Sequence, residues 1–260
     1  MNVLESTPAS NYEDDLKKII KLLTYKKNKI QLKGSASLAS QRFFSDYDLF
    51  CVIPKSEKDG FYTFLSNLMR DIEDDESGIY FIELKMQSKT GRKIRVYPKE
   101  KLNKSSYDKA YDKLDFIKID LICSIGNKFV EVSCIYSFSD STPSKGDYIS
   151  SLMEDIKELK KEKKYYKILK REFNIQKSRG NKDELVRLSR IFNSEMGQEY
   201  KLISNLEALK TLLEYYQSPT VIKKAMINLK DLHLPDDIEQ IDDYIKDKSK
   251  KLNNRAFALL

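Results

Sequence analysis

From residue 14 onward the apolar positions fall at helical spacing. Leu16, Ile19, Ile20, Leu22 and Leu23 share one side, so Asp14 to Tyr25 is read as an amphipathic helix. The period then changes. Ile30 to Leu32 is a short apolar run that turns at Lys33-Gly34-Ser35, with a short helix expected over Ala36 to Ser40. Asp46 to Ile53 (DYDLFCVI) is rich in β-formers and ends at Pro54, a strand exit. Phe61 to Ile72 returns to helical spacing and closes on the acidic run Asp71 to Glu76, read as a solvated helix end. Two hairpins come next. Ile79 to Met86 and Arg92 to Tyr97 flank Ser88 to Gly91; Phe116 to Ser124 and Lys128 to Ile135 flank Ile125-Gly126-Asn127.

The segment Ser137 to Gly146 (SFSDSTPSKG) is the strongest linker signal in the chain. It sets the expected division at a first domain of residues 1–140 and a second of residues 147–260. Beyond the linker the pattern is helical almost throughout. Leu202, Leu206, Leu209, Leu213 and Tyr216 make a stripe predicted to pack one face inward, and Asp236 to Lys251 reads as a last, charged helix. The fold class is α+β: a small mixed β-sheet with an N-terminal helix, followed by an all-helical domain.

Composition narrows the class. In 260 residues, 33% charged and 40% hydrophobic positions describe a globular chain rather than a disordered one. A net charge of +7 suits a polyanionic partner such as nucleic acid. Cys51, Cys123 and Cys134 form no C-x-x-C pair and lie in apolar strands, so they read as buried free thiols in a reducing compartment, placing the protein in the cytoplasm. His233 by itself makes no zinc site. No apolar run approaches the ~20 residues of a membrane span, and the N-terminus lacks the pattern of a secretion signal.

The chemistry concentrates at Gly34-Ser35 and, downstream, Asp46-Tyr47-Asp48-Leu49. Residues i and i+2 of a strand point to one face, so Asp46 and Asp48 project together while Tyr47, Leu49, Cys51 and Ile53 face a core. Adjacent aspartates repel each other unless a divalent cation sits between them. Magnesium (or manganese) is held by carboxylates plus phosphate oxygens, which points to phosphoryl or nucleotidyl transfer. A third acid, Asp120, interrupts the apolar strand Phe116 to Ile122, on the face it shares with Lys118. If that strand lies beside the Asp46 strand, three carboxylates meet in an arrangement suited to two-metal chemistry. Gly34 allows close backbone approach to a phosphate, and the Ser35 hydroxyl with helix-end N–H groups suits a triphosphate.

Gly34-Ser35, Ser45-Asp46-Tyr47-Asp48-Leu49 and Ile119-Asp120-Leu121 together resemble the signature of the DNA polymerase beta nucleotidyltransferase superfamily. The resemblance covers roughly residues 30–135 and implies a palm-like catalytic domain. It implies that Gly34 and Ser35 contact nucleotide phosphates, that Asp46 and Asp48 bind both metals, and that Asp120 binds the catalytic metal and acts as base. Ser37-Leu38-Ala39 departs from the Ala-Arg-Gly of small bacterial members. Lys167 to Phe173 and Ile191 to Gly197 are similar to segments of nucleotidyltransferase-like proteins of large cytoplasmic DNA viruses, related to viral poly(A) polymerase catalytic subunits. That likeness implies template-independent transfer of AMP from ATP to an RNA 3′-hydroxyl in mRNA processing, in host cytoplasm or virion. Two alternatives stay open: transfer to a small molecule or protein, and a catalytically silent nucleic-acid-binding or virion-structural subunit, whose partner subunit the sequence does not reveal.

Lys160 to Lys182 carries ten Lys or Arg against two Glu, with Tyr165, Tyr166 and Phe173 interleaved. Lys167, Lys170 and Arg171 are the expected phosphate contacts there. Lys89, Arg92, Lys93 and Arg95 on the first hairpin form a second basic edge.

Overall fold

A computed structural model describes residues 9–33, 46–72, 78–88, 93–97, 114–125, 128–140, 144–231 and 238–260. The chain divides into two compact units: Met1–Ser141 with Ala208–His233, and Thr142–Glu207 with Leu234–Leu260. Gly34, Ser35, the short helix expected over Ala36 to Ser40, and His233 lie outside the described residues.

The first unit opens with helix α1 (Ala9–Leu23), then strands β1 (Gln31–Lys33) and β2 (Asp46–Ile53). A single 3-10 turn (Lys55–Glu57) leads into α2 (Lys58–Ile72), followed by β3 (Ile79–Ser88), β4 (Lys93–Val96), β5 (Leu114–Ile125) and β6 (Lys128–Phe138). Among the described residues the strands form one six-stranded sheet in the order β1-β2-β6-β5-β3-β4. It is mixed: β2 and β6 run parallel, and every other neighbouring pair is antiparallel. Both expected hairpins form, as β3 with β4 and β5 with β6.

Alternation decides which face of the sheet is buried. Tyr47, Leu49, Cys51 and Ile53 of β2 join Ile117, Ile119 and Leu121 of β5 and Val130, Val132, Cys134 and Tyr136 of β6 in one core. Ile19 and Leu23 of α1 and Phe61, Leu65, Leu68 and Ile72 of α2 cover that face. Burying such side chains contributes about 1.5–3 kcal/mol each relative to exposure. The Tyr136 hydroxyl, deep in this layer, donates to the Leu23 carbonyl at 2.6 Å, which relieves the cost of burying both groups. Gly60, in the first turn of α2, faces Tyr25; a Cβ there would lie 2.6 Å from the phenol oxygen, so the absence of a side chain lets α2 sit close.

In β3 the alternation breaks. Phe81 pairs with Leu121 but Glu83 pairs with Asp120, so Ile82 is an extra residue, a β-bulge. A regular strand would put Glu83 on the same face as Phe81, inside the core. The bulge turns Glu83 to the opposite face and returns Leu84 and Met86 to the core.

The second unit contains α3 (Lys145–Lys161), α4 (Tyr165–Arg179), α5 (Lys182–Phe192) and α8 (Ile238–Phe257). The long helix α6 (Glu195–Tyr215) passes the division at Glu207, and α7 (Pro219–Asp231) belongs with the sheet. Ser144 caps α3 in a capping box with Asp147, which satisfies two N-terminal N–H groups and holds the Asp147 carboxyl below its usual pKa. Leu152 and Ile156 of α3 pack on Ile168 and Ile175 of α4. The stripe expected to give α6 its inward face is buried in part: Leu206 and Leu209 are buried, and Leu202, Leu213 and Tyr216 are half-buried. Ile203, Asn205, Ala208 and Leu212 are buried as well, outside that stripe, with Ile203 nearly opposite Leu212. Its buried positions therefore spread wider than a single stripe, and Glu207 and Glu214 remain exposed.

Candidate active site

The face of the sheet away from α1 and α2 carries the acids. Register across β2, β6, β5 and β3 aligns Asp48, Ser133, Asp120 and Glu83 in one row. Side chains at paired positions share a face, so these four stand side by side above the same surface. The next row toward the end of β2 reads Phe50, Ile135, Lys118, Lys85 and, on β4, Arg95. On the other side lie Asp46, Glu131, Ile122 and Tyr80. A row of acids is therefore flanked by a row of bases on the same face.

Asp46 and Asp48 project together from β2 and are half-buried, against the buried Tyr47 and Leu49 on the other side. Their Cα atoms are separated by about 6.7 Å, two residues of strand rise. Asp120 is 7% exposed and Glu83 8%, low values for carboxylates, and both are paired. Ser133 Oγ donates to Asp120 Oδ1 at 2.5 Å, Lys118 Nζ lies 2.7 Å from the same oxygen, and Lys85 Nζ lies 3.3 Å from Oδ2. Lys85 also reaches Glu83 Oε2 at 2.5 Å, and Arg95 Nε stands 3.4 Å from Glu83 Oε1. Burial works against the Lys85 ammonium, but hydrogen bonding to Glu83 and the charges of Asp120 and Glu83 outweigh it and hold its pKa above the ordinary lysine value.

The expected meeting of three acids depends on the strands bearing Asp48 and Asp120 being neighbours. They are not: β6 stands between them, because it leaves the hairpin with β5 and pairs in parallel with β2. The two Cα atoms are therefore about 9–10 Å apart, twice the interstrand spacing. Ser133, the residue of β6 on this row, is small and polar, so nothing bulky rises between the two acids. Among the described residues no three carboxylate, imidazole or thiol groups gather closely enough to hold one ion. Asp46 and Asp48 suit a single hard cation of the magnesium type, which takes one or two carboxylates and fills its shell with water and phosphate oxygens. Asp120 does not suit one in this arrangement, since each of its oxygens already faces a lysine ammonium.

At the β3–β4 end of the same unit, Tyr97 stacks on Tyr215 with ring centroids 5.9 Å apart and planes 11° from parallel. Burial first, then neighbouring Tyr97 and Glu83, push the Tyr215 phenol above its usual pKa. The next residue, Tyr216, donates through its hydroxyl to the carbonyl of Phe81 at 2.7 Å, beside the bulge.

The three basic residues expected to meet phosphate lie on α4 of the second unit and differ sharply. Lys167 is exposed. Lys170 is 6% exposed, with Nζ 5.2 Å from the centre of the Tyr200 ring, a cation–π contact within the helical core. Arg171 Nε lies 3.1 Å from Asp155 Oδ2 of α3. On the first hairpin, Lys89 and Arg92 lie outside the described residues, while Arg95 is on β4.

Ser133, Glu83, Lys85 and Lys118 complete the site around Asp120, and the motif alone does not single them out as a set. One signal for Glu83 is present in the sequence: apolar positions 79 and 81 are followed by 84 and 86, a step of three that marks the bulge.

No known protein family and no curated protein matches the sequence. Solved structures do resemble it. One, described as a new nucleotidyl transferase encoded by a Megaviridae ORFan gene, aligns with a TM-score of 0.68 at 14% identity, over 96% of this chain and 89% of that one. A second, the Mg662 protein of M. chilensis complexed with GTP, aligns with a TM-score of 0.67 at 14% identity, over 96% of this chain and 92% of that one. A third, also a Megaviridae ORFan nucleotidyl transferase, aligns with a TM-score of 0.56 at 13% identity, over 95% and 92%. At these identities the likeness is one of fold. The chain has the α+β fold of those structures: a mixed six-stranded sheet followed by a mainly helical region.

Proposed function

We propose that this chain is a nucleotidyltransferase that takes its nucleotide from an NTP and works at the acidic face of the sheet. The observation that carries the reading is the Asp46–Asp48 pair on that face, in register with Asp120 through Ser133, in a fold shared with structures described as nucleotidyl transferases. A hard divalent cation, Mg²⁺ or Mn²⁺, supplies charge neutralisation for the triphosphate, and Asp46 and Asp48 are the residues that would hold it. Gly34 and Ser35 are proposed to contact the phosphates, as the motif implies.

The finer reading is AMP transfer from ATP to an RNA 3′-hydroxyl, as in polyadenylation, in host cytoplasm or virion. The net charge of +7 supports a polyanionic acceptor, and the exposed Lys160, Lys161, Lys163, Lys164, Lys167 and Lys177 on and around α4 offer a face for it. Lys170 and Arg171 would support that face from within, since each already has a partner in the helical unit. GTP is the ligand of one similar structure, so guanine competes with adenine as the chosen base.

The clasp of Asp120 by Lys85 and Lys118 favours a second reading: a member that binds nucleotide without transferring it. Incubation of the protein with each of the four labelled NTPs, Mg²⁺ or Mn²⁺, and an oligo(A) primer separates the readings. Primer extension with ATP supports the adenylyltransferase. Label moving instead to protein or a small hydroxyl acceptor shifts the acceptor class, and nucleotide binding without any incorporation supports the silent reading.

A further inference from the structure

The geometry of Asp120 does not fit the expected three-acid metal site. An acid that awaits a second divalent ion would face its partner acids across a gap. Asp120 is instead surrounded by the protein's own cations: Lys118 at 2.7 Å on Oδ1 and Lys85 at 3.3 Å on Oδ2. Ser133 fixes Oδ1 further by donating at 2.5 Å. These contacts come from three strands, β5, β3 and β6, so the carboxylate is held by the sheet itself and not by a loop. Glu83, placed beside Asp120 by the bulge, holds Lys85 in turn, and Arg95 balances Glu83. Two buried acids are thereby matched by three bases, and Ser133 links the group to Glu131 at 3.4 Å.

We propose that Lys118 and Lys85 are the resident counter-cations of Asp120, standing where a second divalent ion would otherwise be held. The unliganded protein then takes a divalent cation through Asp46 and Asp48 and not through Asp120. This rests on the proposed function for the presence of a cation site at Asp46 and Asp48. What it adds is the assignment of Lys118 and Lys85 as positioning residues that decide how many ions the acidic face accepts. A carboxylate released from both ammoniums is a strong hard ligand, and positive charges held against both of its oxygens oppose a cation's entry.

The test is Mn²⁺ binding to the full chain without nucleotide, read from the electron paramagnetic resonance signal of free Mn²⁺ at pH 7. Wild type is expected to bind one ion per chain. Asp120→Asn, which keeps shape and removes charge, is expected to leave that binding within about twofold, because Asp120 is not a ligand. Lys118→Met with Lys85→Met is expected to add a second ion or tighten binding about tenfold or more. Asp120→Asn added to that double variant should abolish the gain, and Lys118→Arg, which keeps the charge, should behave as wild type. A loss of an ion, or of tenfold affinity, in Asp120→Asn alone would overturn the proposal, and so would unchanged binding in a folded lysine double variant. Because no nucleotide is present, an absence of transfer activity would sink the proposed reaction while leaving this result standing.

Discussion

Ser133 Oγ lies 2.5 Å from Asp120 Oδ1, on the strand that separates Asp120 from Asp48. A hydrogen bond to a carboxylate in a nearly dry setting contributes about 1.5–3 kcal/mol. Ser133→Ala is therefore expected to lower stability by that order, seen as a shift in the urea midpoint. It should also slow transfer, since the Asp120 carboxylate would lose the contact that fixes Oδ1 from β6. Unaltered stability and rate would mean that the row is not a working unit.

Tyr216 ties the segment Ala208–His233 to the sheet by donating to the Phe81 carbonyl at 2.7 Å, and its ring meets Tyr80 edge-on at 5.4 Å. Tyr216→Phe keeps the ring and removes the hydroxyl, at an expected cost of about 1 kcal/mol. Hydrogen exchange should report the loss first at the bulge between Phe81 and Glu83, the least regular point of β3.

Gly197 opens α6 against the end of α5. A Cβ at that position would lie 1.9 Å from the carbonyl oxygen of Phe192, a backbone atom that cannot swing aside. Gly197→Ala is expected to cost about 2 kcal/mol or more by forcing the two helices apart. Thermal melting of the purified variant checks this; an unchanged midpoint would refute the close approach.

Much of the sheet is legible in the sequence because its rule is local. The alternation from Tyr47 to Ile53 names the buried face of β2, and the turn-flanked runs name both hairpins. The projection of Asp46 and Asp48 from one face comes from the same period. Strand order is not local, since pairing of β2 with β6 joins residues some 85 positions apart through backbone groups that every residue carries. That insertion of β6 moves Asp120 one strand further from Asp48 than the motif suggests. The lysine clasp is non-local in the same way: Lys85 and Asp120 meet only because the bulge at Ile82 shifts the register. The Leu202 to Tyr216 stripe names Leu206 and Leu209 but misses Ile203, Asn205, Ala208 and Leu212, which are buried off that face.

The three thiols should be silent in the folded protein. Burial pushes Cys51 up to about 11 and Cys134 up to about 12, and raises Cys123 further still. A raised thiol pKa keeps the thiolate, the reactive form, scarce until pH rises through the folded value. At pH 8 an aromatic disulfide reagent is expected to label none of them in the folded protein and all three in guanidinium.

Metal-dependent release of pyrophosphate from NTP, measured for wild type, Asp46→Ala and Asp48→Ala, reports directly on whether chemistry occurs at this face. Wild type is expected to release pyrophosphate with Mg²⁺ or Mn²⁺, and each substitution to reduce the rate about a hundredfold or more in a protein that still folds. Undiminished release in both variants would contradict the account, because the chemistry would then reside somewhere other than the acidic face of this sheet.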